Sequence, residues 1–217
     1  MLTAMTEKKF LSRLLGRQDR DRRAIEQPRS GRAASHVDFL VLTEQLLHHS
    51  KERFKRSNNH SPYVLAGIPI LLSMIRALVI DCETMSPNKA DIAFLTKGKD
   101  IQIILDRYDI EGELRENAEY LIELRHEIIH PMHISITTKD HWPDYLRTLK
   151  DKGLLNSSGQ ESGDYDFFWQ MQSHKLFVWA HNVTWEIATQ IIARYIKTAD
   201  NGTILYGAFM HNFTGSH

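Results

Sequence analysis

The run from Val64 to Ile80 constrains this chain most. Pro69, Ser73 and Arg76 interrupt an otherwise apolar stretch, which falls short of the ~20 residues a bilayer needs. A helix that is apolar on nearly all sides must be covered on all sides, so the run predicts the central helix of a bundle. Its expected bounds are Pro62 to Thr84. Ser61 is a natural N-cap and Pro62 suits the first helical position, where the missing N–H is not needed. Pro69 should kink the helix.

Other segments repeat their apolar residues at helical spacing. Helices are expected at about 37–56, 99–107, 113–129, 143–152 and 173–198. Asn58 and Asn59 break the first of these, and residues 153–166 form a Gly/Ser/Asp-rich loop. No segment alternates with period two, so the fold class is all-α. The tail from Asn201 carries Ile204, Leu205, Tyr206, Phe209 and Phe213 and is expected to dock on the bundle.

Formal net charge is zero over 217 residues, so any polyanion signal has to be local. Residues 1–35 form a net-positive arm rich in arginine, including Arg13, Arg17, Arg20, Arg22, Arg23, Arg29 and Arg32. Such an arm is either a solvated tail or a strand that lies along a phosphate backbone. The N-terminus lacks the apolar core and cleavage site of a secretory signal. The single cysteine, Cys82, excludes an intramolecular disulfide and reads as a small buried apolar residue.

The segment Leu124-Arg125-His126-Glu127-Ile128-Ile129-His130-Pro131 carries the chemistry. With Arg125 at zero on a helical wheel, Leu114, Ala118, Leu121, Ile122, Ile128, Ile129 and Met132 fall within about 60° of it at ~100° per residue. Arg125 is therefore expected in the middle of the buried face, paired or functional. Glu127 is expected to face solvent. Pro131 pushes the residue before it out of helical geometry, so the helix should end at or before His130. That lets His130 leave its ideal direction, about 140° from Arg125.

Residues 121–131 resemble the HEPN family of helical ribonucleases. Their signature is an arginine followed by a polar residue and, a few positions on, a histidine late in a bundle helix. Arg125, His126 and His130 match it, and the apolar helix at Pro62–Thr84 is similar to the central helix of such bundles. The resemblance covers residues 36–135. With the resemblance confined to 36–135, three parts are expected: a basic arm at 1–35, a HEPN-like bundle at 36–135 and a C-terminal helical extension at 136–217 packing on the bundle. The resemblance also implies a metal-independent RNA endonuclease that needs no cofactor. Such an enzyme acts in the cytoplasm as a homodimer, away from any membrane, with RNA as substrate. Toxin or defence roles, with an antitoxin or regulatory partner, belong to the same family. Arg125 would hold the phosphate, His130 would act as general acid or base, and His126 would orient one of them or touch the phosphate.

Two other readings stay open. A bundle of this kind can be catalytically silent and serve as an interaction or RNA-binding module. His126-Glu127-x-x-His130 also has the spacing of a zinc-peptidase helix, two ligands one turn apart with a general base between them. Pro131 ends that helix early, and Arg125 places a cation beside the supposed metal. The third ligand would come from Glu161, Asp164 or His133. Trp142, Trp169, Trp179 and Trp185 read as core residues, and the cluster Tyr165-Asp166-Phe167-Phe168-Trp169 as a loop tip able to stack on bases. His133 and His141 read as surface histidines.

Overall fold

In a computed structural model the described residues, 35–56, 60–85, 100–130, 142–156 and 167–198, are predominantly helical. We number the helices α1 (Ser35–Arg56), α2 (Tyr63–Met85), α3 (Asp100–Arg107), α4 (Gly112–Ile129), α5 (Asp144–Asp151), α6 (Phe167–Met171) and α7 (His174–Thr198). Among the described residues the sole β feature is a bridge between His60 and Ser173. The chain is all-α, as its periodicity predicts.

α2 lies at the centre and packs against α1, α3, α4 and α7. Val64, Ile68, Leu71, Leu72, Ile75 and Leu78 are all buried, which explains why this helix has no polar face. Its stretch Tyr63–Glu83 is longer than the apolar run Val64–Ile80 and is long and apolar enough to cross a bilayer by length and composition alone. Its apolar surface is met instead by neighbouring helices. The helix is continuous through Pro69, and the Ser73 hydroxyl donates to the Pro69 carbonyl at 2.9 Å. At Gly67 the Phe177 ring of α7 lies directly against α2. An added Cβ there would stand 2.2 Å from Cζ of the buried Phe177 ring.

The entry to α2 differs from expectation. The Ser61 hydroxyl is buried and forms no hydrogen bond, so it does not cap the helix. Instead the Ser61 backbone N–H donates to the Gln172 carbonyl at 2.7 Å, beside the His60–Ser173 bridge. A tertiary contact holds this turn where a local cap was expected.

Polar pairs set the ends of the helices. The His36 backbone N–H at the start of α1 donates to Asp81 of α2 at 3.1 Å, and the His36 ring meets the same carboxylate oxygen at 2.8 Å. At the far end of α1, Ser50 bonds His174 of α7 at 2.9 Å. α1 therefore runs antiparallel to both α2 and α7. All described residues belong to one compact unit, residues 34–217. The basic arm, His133, His141, Glu161, Asp164, Tyr165 and Asp166, and the tail from Asn201 lie outside the described residues.

The short α6 is a correction. The segment expected as a loop tip is helical from Phe167, and the Phe168 side chain packs on the core. Trp142 is buried, and Trp179 and Trp185 lie partly buried against the core, as expected. Cys82 is buried too, and burial next to Asp81 and Glu83 pushes its thiol up to about 12.

Candidate functional site

The site lies on α4, whose start is set by how α3 ends. The Ile110 N–H donates to the Leu105 carbonyl at 2.9 Å and the Asp109 N–H to Asp106 at 3.3 Å, the two bonds of a Schellman motif. Asp109 takes the left-handed position usually given to glycine, with φ 53°. Its carboxylate accepts from Arg194 of α7 at 2.6 Å. Arg107 pairs with the buried Glu83 of α2 at 2.9 Å, and the Tyr108 hydroxyl donates to the same carboxylate at 3.3 Å. α4 thus begins beside the C-terminal halves of α2 and α7. It packs on both.

α4 ends at Ile129. His130 is its C-cap, with φ −125° and ψ 70°, and its backbone N–H donates to the His126 carbonyl at 2.8 Å. The helix stops just before Pro131, as expected from proline sterics. The His126 and His130 rings lie side by side, with centroids 5.4 Å apart and planes tilted by 55°. Both are exposed, and Arg125 is exposed next to them.

Two expectations for this helix are overturned. Arg125 does not sit in the buried face, and Glu127 does not face solvent. The buried positions are Ala118, Leu121, Leu124 and Glu127. At ~100° per residue this stripe is centred about 70° away from Arg125. The reason is a second covering element. α5 lies along the other side of α4, with the Tyr120 and Tyr145 rings 6.2 Å apart and Lys152 bonded to Asn117 at 3.3 Å. Leu146 and Leu149 of α5 are themselves buried. Covering this flank rotates the buried face towards Leu124 and Glu127, and it leaves Ile129 43% exposed beside Arg125. Burial, and then the nearby Glu127 and Glu123 carboxylates, push the Tyr145 hydroxyl above its ordinary range.

This geometry bears on the chemistry in two ways. Among the described residues no hydrogen bond or ion pair engages the exposed Arg125 side chain. Glu127 is only 8% exposed and lies near Tyr145, turned inward while the two imidazoles face outward. A metallopeptidase helix needs its glutamate on the open side with both histidines. No group of three or more metal-ligating side chains gathers among the described residues. The third ligands that a zinc reading would draw on, His133, Glu161 and Asp164, lie outside the described residues.

The sequence reading missed a second concentration of titratable and aromatic groups. It lies where α1 ends and α2 and α7 begin, and includes His49, His60, Tyr63 and His174. No short motif marks these residues, because they come from four separate segments. Comparison of the chain with protein-family profiles, with curated proteins and with solved structures finds no match.

Proposed function

We propose that this protein is an RNA endonuclease of the HEPN type that uses no metal ion. The observation that supports this reading best is the cluster at the end of α4: Arg125, His126 and His130 exposed together, with no ion pair engaging Arg125 among the described residues.

The reaction follows from what these groups do. RNA carries its own nucleophile, the 2′-OH. His130 removes the 2′-OH proton, or delivers a proton to the departing 5′-oxygen, because imidazole exchanges protons near neutral pH. The 2′-oxygen bonds to phosphorus and the P–O5′ bond breaks, leaving a 2′,3′-cyclic phosphate and a 5′-OH. Arg125, always charged, holds two non-bridging oxygens as negative charge builds on them. His126 orients His130 or contacts the phosphate. One α4 supplies one arginine and two histidines. A two-fold pairing of chains through this end would double the set and let one copy act as base and the other as acid. This reading includes a HEPN-like bundle, a homodimer, RNA as substrate, a cytoplasmic setting, and a toxin or defence role under a regulatory partner.

The test is cleavage of an end-labelled single-stranded RNA pool in excess EDTA, wild type beside Arg125→Ala and His130→Ala. Each substitution should lower cleavage by about 100-fold or more. Both residues are exposed, so helical content by circular dichroism should not change. Cleavage equal in all three proteins, or abolished by EDTA, would refute the assignment. No cleavage by a folded, dimeric wild type would favour the silent module.

A further inference from the structure

The bundle end where α1 finishes and α2 and α7 begin carries cations and rings that the α4 cluster does not use. Lys51, Arg53, Lys55 and Arg56 are exposed on the last turns of α1, and Lys175 is exposed at the start of α7. Within residues 51–56 the single carboxylate is Glu52, bonded to Lys55 at 3.0 Å. Among the described residues this end therefore concentrates positive charge in a chain with no net charge.

Partly exposed rings are interleaved with these charges. His49 of α1 lies 5.7 Å from Tyr63 of α2, with planes 33° apart. Phe54 of α1 lies 5.4 Å from His174 of α7. His60 stacks on Trp169 at 6.3 Å and 29°. All six are half-buried, so each ring is held by packing and still presents surface to solvent. The His60–Ser173 bridge and the Ser61–Gln172 bond join the segments that carry them.

We propose that this end of the bundle is a docking surface for single-stranded RNA. Cations spaced along a surface neutralise successive phosphates, and fixed rings among them stack on bases. A duplex hides its base faces and could use only the cations. A lipid surface would call for large exposed aliphatic side chains here. Among the described residues the exposed ones are Val41 and Ile129, neither of them on this stretch. The choice of RNA over DNA rests on the ribonuclease reading, whereas the charge and the rings stand without it.

The experiment measures fluorescence anisotropy of a labelled single-stranded RNA with the full chain carrying Arg125→Ala and His130→Ala, so that the probe is not cut. Adding Lys51→Glu, Arg56→Glu and Lys175→Glu together should lower affinity at least ten-fold. It should also flatten the slope of log affinity against log salt by about 2, at ~0.7 per phosphate contact on a single strand. His49→Ala or Tyr63→Ala should weaken binding by roughly ten-fold and leave that slope unchanged. Circular dichroism verifies the fold of each variant. Unchanged affinity in the charge-reversed protein overturns the proposal. So does equal competition by duplex RNA or by polyglutamate, and tighter binding of single-stranded DNA overturns the choice of RNA. The two readings fail separately. Binding that follows this pattern in a protein that cuts nothing removes the ribonuclease alone. Cleavage with affinity indifferent to the charge reversal removes the docking surface alone.

Discussion

Replacing Gly67 by alanine tests the contact between α2 and the Phe177 ring of α7. In isolation the change should stabilise α2, because alanine is better than glycine inside a helix by about 1 kcal/mol. Tertiary packing opposes this. The new methyl would stand 2.2 Å and 2.4 Å from two ring atoms of Phe177 and 3.0 Å from a third. A flexible exposed side chain would swing away. Phe177 is 0% exposed, so its ring can move only by displacing other core residues or by pushing α7 off α2. Overpacking of this kind costs about 2–3 kcal/mol. The net loss is then about 1–2 kcal/mol, or roughly 3–8 °C in Tm for a unit of this size. Urea and thermal unfolding followed by circular dichroism measure it. A second substitution, Phe177→Leu, should remove the clash. The double variant should therefore be more stable than the sum of the two single losses predicts, by about 1 kcal/mol or more. A Gly67→Ala protein as stable as wild type, or strictly additive losses, would refute the claim that this glycine exists to admit the Phe177 ring.

Other outcomes follow from the same structure. The Cys82 thiol, buried and pushed up to about 12, should not react with a disulfide reagent at pH 8 in the native protein and should react fully in guanidinium. Native-state labelling would contradict this packing. His174 is held below its ordinary value of 6.5 by burial and then by Lys51. The unfolded chain therefore binds this proton more readily than the folded one. Stability should fall as pH drops through about 6.5 and level off below the folded value. His174→Gln should flatten that decline in urea midpoints measured from pH 7.5 to 5, and an unchanged slope would show that the proton is taken up elsewhere. Arg125→Glu should change stability by no more than about 0.5 kcal/mol in the same assay, since the side chain is exposed. A large loss would mean that Arg125 is structural.

Much of the architecture was legible in the sequence. Helical spacing of apolar residues marks every long helix, because a helix that must bury one face repeats its apolar residues every three or four positions. The run from Val64 to Ile80 announces a central helix because it is apolar on nearly all sides and must be covered all round. Pro131 sets the end of α4, because its ring excludes helical geometry at His130 whatever surrounds it. Each of these is a local constraint, written in neighbouring residues.

The tertiary structure decided which way α4 faces. On the sequence alone, Arg125 sits amid aliphatic residues and Glu127 looks solvent-bound. Placing α5 along one flank turns the buried stripe through Leu124 and Glu127 and leaves Arg125, His126 and Ile129 outside. The same holds for Ser61, a good local cap that is buried with its hydroxyl unbonded because Gln172 takes over the turn. The cluster of His49, His60, Tyr63, Trp169 and His174 exists only once α1, α2, α6 and α7 have met. A single helix records its own period in its residues, but which of its faces is covered depends on partners far away in the chain.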